Sequence, residues 1–96
     1  MKIKINQKIK DAEGNEIILQ GKPAMTLRDV NVNSILTLDQ ADDEKKKWEK
    51  YEIFKKIKES KNEVELTIEE IALVKKCIGK FQPPLVMGQC WEMLEK

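Results

Sequence analysis

The chain contains no histidine, and this absence excludes several kinds of active site at once. Ser-His-Asp and Cys-His nucleophiles, histidine-ligated zinc and a histidine pH switch all require an imidazole. Only two cysteines are present, and their spacing matches neither a C-x-x-C pair nor a zinc site. The composition therefore predicts a non-enzymatic protein with no catalytic residue, no metal and no cofactor.

Long apolar segments are also absent, since no run approaches the roughly 18 residues that a membrane helix needs. The first ten residues, MKIKINQKIK, alternate lysine with isoleucine and lack the apolar region of a signal peptide. The net charge is +1, so no global field attracts the chain to nucleic acid. We expect a cytoplasmic protein without a membrane partner, in a reducing compartment.

What the chain does contain is a modest apolar fraction under a highly charged surface. Hydrophobic residues make up 41% and charged residues 36% of 96 positions. That balance is typical of a folded chain, and the length fits one small domain spanning residues 1–96.

The N-terminal segment reads as a β-hairpin over residues 2–20. Ile3, Ile5 and Ile9 share one face of a period-two pattern, with lysines on the other face. Gly14 and Asn15 follow as a turn signal, and a second apolar run returns after them. The hairpin would place a charged face towards water and its isoleucines against helices.

Four helices are predicted after the hairpin, over residues 27–37, 42–60, 68–80 and 84–95. Thr26 with Asp29, and Thr67 with Glu70, fit capping boxes at the first and third helix starts. The fold class is therefore α+β, with an N-terminal antiparallel β-hairpin packed on three to four short helices.

Both cysteines lie beside apolar stripes near the C-terminus. Cys77 neighbours the stripe of the third helix, and Cys90 shares a face with Met87, Trp91 and Leu94. We expect packed, inert thiols, and a last helix that closes the core after Pro83-Pro84. The alternative is that the Met87–Trp91–Leu94 face is a docking surface for a partner.

The second predicted helix carries more apolar surface than one neighbour needs. Its apolar residues cover a wide arc instead of a narrow stripe, and exposed apolar patches usually mark contacts. We therefore predict a partner-binding site or self-association here. The candidate residues are Trp48, Tyr51, Phe54, Lys47 and Lys50. A solvated, self-paired helix face is the simpler interpretation of its lysines, and phosphate binding is a further one.

The order of these motifs resembles a family of small uncharacterised bacteriophage and prophage proteins. The likeness spans most of the chain, and its most specific segments are ELTIEEIALVKK at residues 65–76 and PLVMGQ at residues 84–89. The resemblance implies a phage origin and work in a bacterial cytoplasm or in virion assembly. It supplies no catalytic residue.

Three functional hypotheses follow, and the first is favoured. It is a small phage accessory protein that binds a protein partner stoichiometrically, with inhibition of host antiviral defence favoured by analogy with other small phage proteins. The second is a virion or assembly component that works as a homo-oligomer. The third is a nucleotide- or nucleic-acid-binding module that uses the lysine faces.

Overall fold

The computed structural model describes residues 1–18, 21 and 23–95. Two short strands and four helices follow in the order β1 (Lys2–Lys4), α1 (Leu27–Leu36), α2 (Glu44–Glu59), β2 (Glu63–Glu65), α3 (Ile68–Phe81) and α4 (Pro84–Leu94). The predicted α+β class is confirmed, and each helix begins and ends within two residues of its predicted bounds.

The regular strand pairing joins two segments that are distant in sequence. β1 runs antiparallel to β2, with Ile3 opposite Val64 on the buried side. On the exposed side Lys2 faces Glu65 and Lys4 faces Glu63, so opposite charges meet across the pair. The alternating KIK and EVE segments thus select each other by both burial and charge.

The predicted reversal around Gly14 is present as an irregular turn with one bridge. Lys10 pairs antiparallel with Glu16, and the Asp11 side chain accepts from the backbone N–H of Glu13 and Asn15 at 3.0 and 2.9 Å. Gly14 has φ +86°, a conformation that glycine adopts without strain. Residues 19, 20 and 22, at the end of the predicted hairpin and in its exit loop, lie outside the described residues.

Helix α1 lies in the middle of the fold and contacts α2, α3 and α4. Its predicted capping box is formed, because Thr26 and Asp29 bond reciprocally. The helix has few strong helix formers, so its stability derives chiefly from packing. Its burial extends to two polar residues, Asn31 and Ser34.

Helix α4 closes the core against α3, as the sequence predicts. Cys90 and Leu94 are fully buried, and the half-buried Trp91 donates its indole N–H to the Lys75 carbonyl at 3.0 Å. Gly79 lies directly beneath this ring, since a Cβ placed there would be 3.1 Å from the Trp91 Cζ2 atom. Helix α3 continues through Gly79 to Phe81, and the small size of this residue lets α4 approach.

Buried side chains from all six elements form one hydrophobic cluster, together with Ile5, Ile9 and Leu66 from the connecting segments. The cluster leaves one face of α2 uncovered, and that face carries the candidate site.

Candidate protein-binding surface

Helix α2 divides its apolar residues between two sides. Ile53 and Ile57 are buried in the core, whereas Trp48 and Tyr51 are 60% and 46% exposed. Phe54 lies at the border and packs partly against the core. The wide apolar arc seen in the sequence is thus a buried stripe beside an exposed aromatic row.

The three aromatic rings form a continuous row along the helix. The Trp48 and Tyr51 ring centroids are 5.7 Å apart, and those of Tyr51 and Phe54 are 6.3 Å apart. The rings are tilted by 37° and 41° to each other. These distances lie in the range of favourable aromatic pairs, so neighbouring rings of the row support one another.

The end of α1 extends this apolar area on the adjacent side. Leu36 is 52% exposed, and Leu38, just beyond the helix, is 75% exposed. We call Trp48, Tyr51, Phe54, Leu36 and Leu38 together the aromatic surface. A cluster of large exposed apolar side chains from two elements is the usual mark of a binding surface in a soluble fold.

Two grooves run into the aromatic surface and share Leu36 and Thr37 in their walls. The first has a volume of about 560 Å³ and is bounded by Val32 and Phe54. The second has a volume of about 290 Å³ and is bounded by Leu38 and Tyr51. The surface is therefore indented, and apolar side chains of a partner could enter it.

Arg28 fixes the position of α2 relative to α1. Its guanidinium donates to the carbonyl of Ile57 at 2.8 Å and to those of Ser60 and Lys61 at 2.6 Å each. These carbonyls belong to the last turn of α2 and the residues that follow, where unpaired acceptors and the negative helix end favour a cation. The aromatic surface therefore rests on a fixed junction between the two helices.

The predicted lysines lie in different surroundings. Lys47 is exposed at the edge of the second groove. Lys50 is only 4% exposed, and its ammonium is paired with the Asp42 carboxylate. Burial pushes the pKa of Lys50 down, but the bond to Asp42 and the nearby negative groups together outweigh burial and leave the pKa above its ordinary value. The charge of Lys50 therefore contributes to the fold and is not presented on the aromatic surface.

Both thiols are free and buried. Burial raises the pKa of Cys90 to about 11, and burial also raises the pKa of Cys77 despite the nearby Lys50 ammonium. A thiol with a raised pKa holds little thiolate near neutral pH, and the thiolate is the reactive form. These surroundings support the prediction of packed, unreactive cysteines.

The C-terminal face on α4 was the alternative docking surface. Its Cys90 and Leu94 are buried, and its Met87 and Trp91 are half-buried and packed against the core cluster. The Lys75 ammonium lies 4.8 Å from the Trp91 ring centroid and pairs with Glu95 at 2.7 Å. This face is therefore already covered by α3.

No group of three or more potential metal ligands occurs in the part of the chain that the structure describes. Among the same residues, none of the helices has the length and apolarity to cross a membrane.

Sequence reasoning identified the aromatic row but missed the contribution of α1. Leu36 and Leu38 carried a usable signal, because they are apolar residues at the end of a helix whose apolar pattern is already filled. The role of Arg28 had no such signal, since its acceptors are carbonyls about 30 residues away.

The chain matches no protein-family model, no curated protein and no solved structure. The resemblance to small phage proteins therefore stays a prediction from the sequence, and functional reasoning depends on the aromatic surface itself.

Proposed function

We propose that this protein is a small, non-enzymatic phage accessory protein that binds one protein partner stoichiometrically through the aromatic surface. It would act in the cytoplasm of the bacterial host. The observation that carries the proposal is the row formed by the exposed Trp48 and Tyr51 and the half-buried Phe54, beside two apolar grooves. Tryptophan and tyrosine are the residues most enriched where binding energy concentrates in protein interfaces.

The non-enzymatic part of the proposal is supported by the side chains that could do chemistry. Histidine is absent from the sequence, and both thiols are buried with raised pKa values. The inhibition of host antiviral defence has narrower support, because it follows from the resemblance to small phage proteins alone.

The test is capture from a bacterial lysate with variants that separate binding from folding. Tyr51→Ser removes an exposed ring from the aromatic surface. Ile68→Ser is the matched control, because Ile68 is 72% exposed on α3, outside both grooves. We expect one protein to be retained by the wild type and by Ile68→Ser, and to be lost with Tyr51→Ser.

The mass of the captured complex then decides between the hypotheses. A complex of one chain with one partner supports the proposal. Capture that is equal for all three chains would contradict it, because the aromatic surface would not be the binding site. A free protein that is already a stable oligomer, dissociated by Tyr51→Ser, would favour the assembly component. Nucleic acid as the only retained species, lost at high salt, would favour the nucleic-acid module.

A further inference from the structure

We draw no further inference here: the strongest candidate, the aromatic surface that α2 and the end of α1 leave exposed beside the two grooves, carries nothing beyond the proposed function, because exposed lysines and exposed glutamates are interleaved along α2 and nothing in the described part of the chain shows what covers it.

Discussion

The two tryptophans occupy opposite kinds of environment. Trp91 donates its N–H to the Lys75 carbonyl, rests on Gly79 and has the Lys75 ammonium over its ring. Trp48 is 60% exposed, and its ring lies against the ring of Tyr51, which is itself 46% exposed. Both residues are large and apolar in a chain with few aromatics. The difference teaches that one closes the core and the other is available for a partner.

The position of glycine explains how the closed environment arises. Gly79 provides the space for the Trp91 ring on α3. Among the described residues, no element covers the outer face of α2, and Leu36 and Leu38 at the end of α1 are exposed as well. Apolar area that remains uncovered in a folded chain is the physical basis of the proposed binding site.

The largest expected effect is the loss of stability caused by Trp91→Ala, because this change removes the ring that closes the core. Truncation of a packed aromatic ring costs about 3 kcal/mol or more, out of a total stability of about 5–15 kcal/mol. We expect a large fall in the midpoint of thermal unfolding, measured by circular dichroism. Trp91→Phe is the control and should lose much less, because it keeps ring packing and removes one hydrogen bond. An unchanged midpoint for Trp91→Ala would show that this face is not part of the core.

The second prediction uses the thiol of Cys90, which lies in the same closed region. Native labelling of Cys90 by a thiol reagent should be at least about a hundredfold slower than labelling of the unfolded chain, because the residue reacts only after local or global opening. Raising the pH from 7 to 9 should accelerate labelling of the native and the unfolded protein in parallel, because both react through an opened thiol, and the folded thiol, with a pKa of about 11, adds little thiolate of its own. Rapid labelling of the native protein would contradict the burial of Cys90 in the core.

The third prediction concerns the open environment. Tyr51→Ala should change the free energy of unfolding by less than about 1 kcal/mol, since the residue is 46% exposed and its ring packs on the neighbouring rings of the same surface. The same variant should weaken partner binding by about 2 kcal/mol, as expected of a central aromatic residue in an interface. Calorimetry on the complex and denaturant melts on the free protein measure the two quantities. A large stability loss with unchanged binding would assign Tyr51 to the core.

The smallest expected effect tests the link between α2 and α3 on the side away from the aromatic surface. Partial burial pushes the pKa of Glu70 up, but hydrogen bonds from Lys56 and Thr67 outweigh it and hold the pKa below its ordinary value. The charged form therefore adds stability above the unfolded pKa of about 4.3, and this contribution disappears as pH falls through the lower folded pKa.

Glu70→Gln separates this charge effect from helix capping, because glutamine can keep the capping box. We expect a loss of less than about 1 kcal/mol at pH 7, shrinking towards zero below pH 4, with partner binding unchanged. Denaturant melts across this pH range measure the difference. An equal loss at both pH values would show that the ion pair with Lys56 contributes nothing.

Local sequence signals predicted the helices well and the strands poorly. Both capping boxes and the Pro83-Pro84 break are short-range signals, and they place the starts of α1, α3 and α4. The pairing of β1 with β2 depends on contacts about 60 residues apart, so no local pattern specifies it. The segment KNEVEL lies between two predicted helices, and its EVE alternation matches KIK in both burial and charge.

The candidate site was predictable in its aromatic row and not in its lysines. Trp48, Tyr51 and Phe54 stand out because they exceed the apolar stripe that a helix on a core needs. Lys47 and Lys50 look alike in the sequence. Only tertiary packing distinguishes them, because it buries Lys50 against Asp42. The wide apolar arc on α2 indicated more apolar surface than one neighbour needs. It did not show which side of the arc would be buried in the core.

The most direct test of the account is the fluorescence of Trp48 as the only tryptophan, in the Trp91→Phe variant. The free protein should show red-shifted emission and ready quenching by iodide, independent of protein concentration. Addition of the purified partner to a one-to-one complex should shift the emission to shorter wavelength and reduce quenching. Emission that is already blue-shifted and protected in the free monomer, or that stays unchanged when the complex forms, would contradict the assignment of the aromatic surface as the binding site.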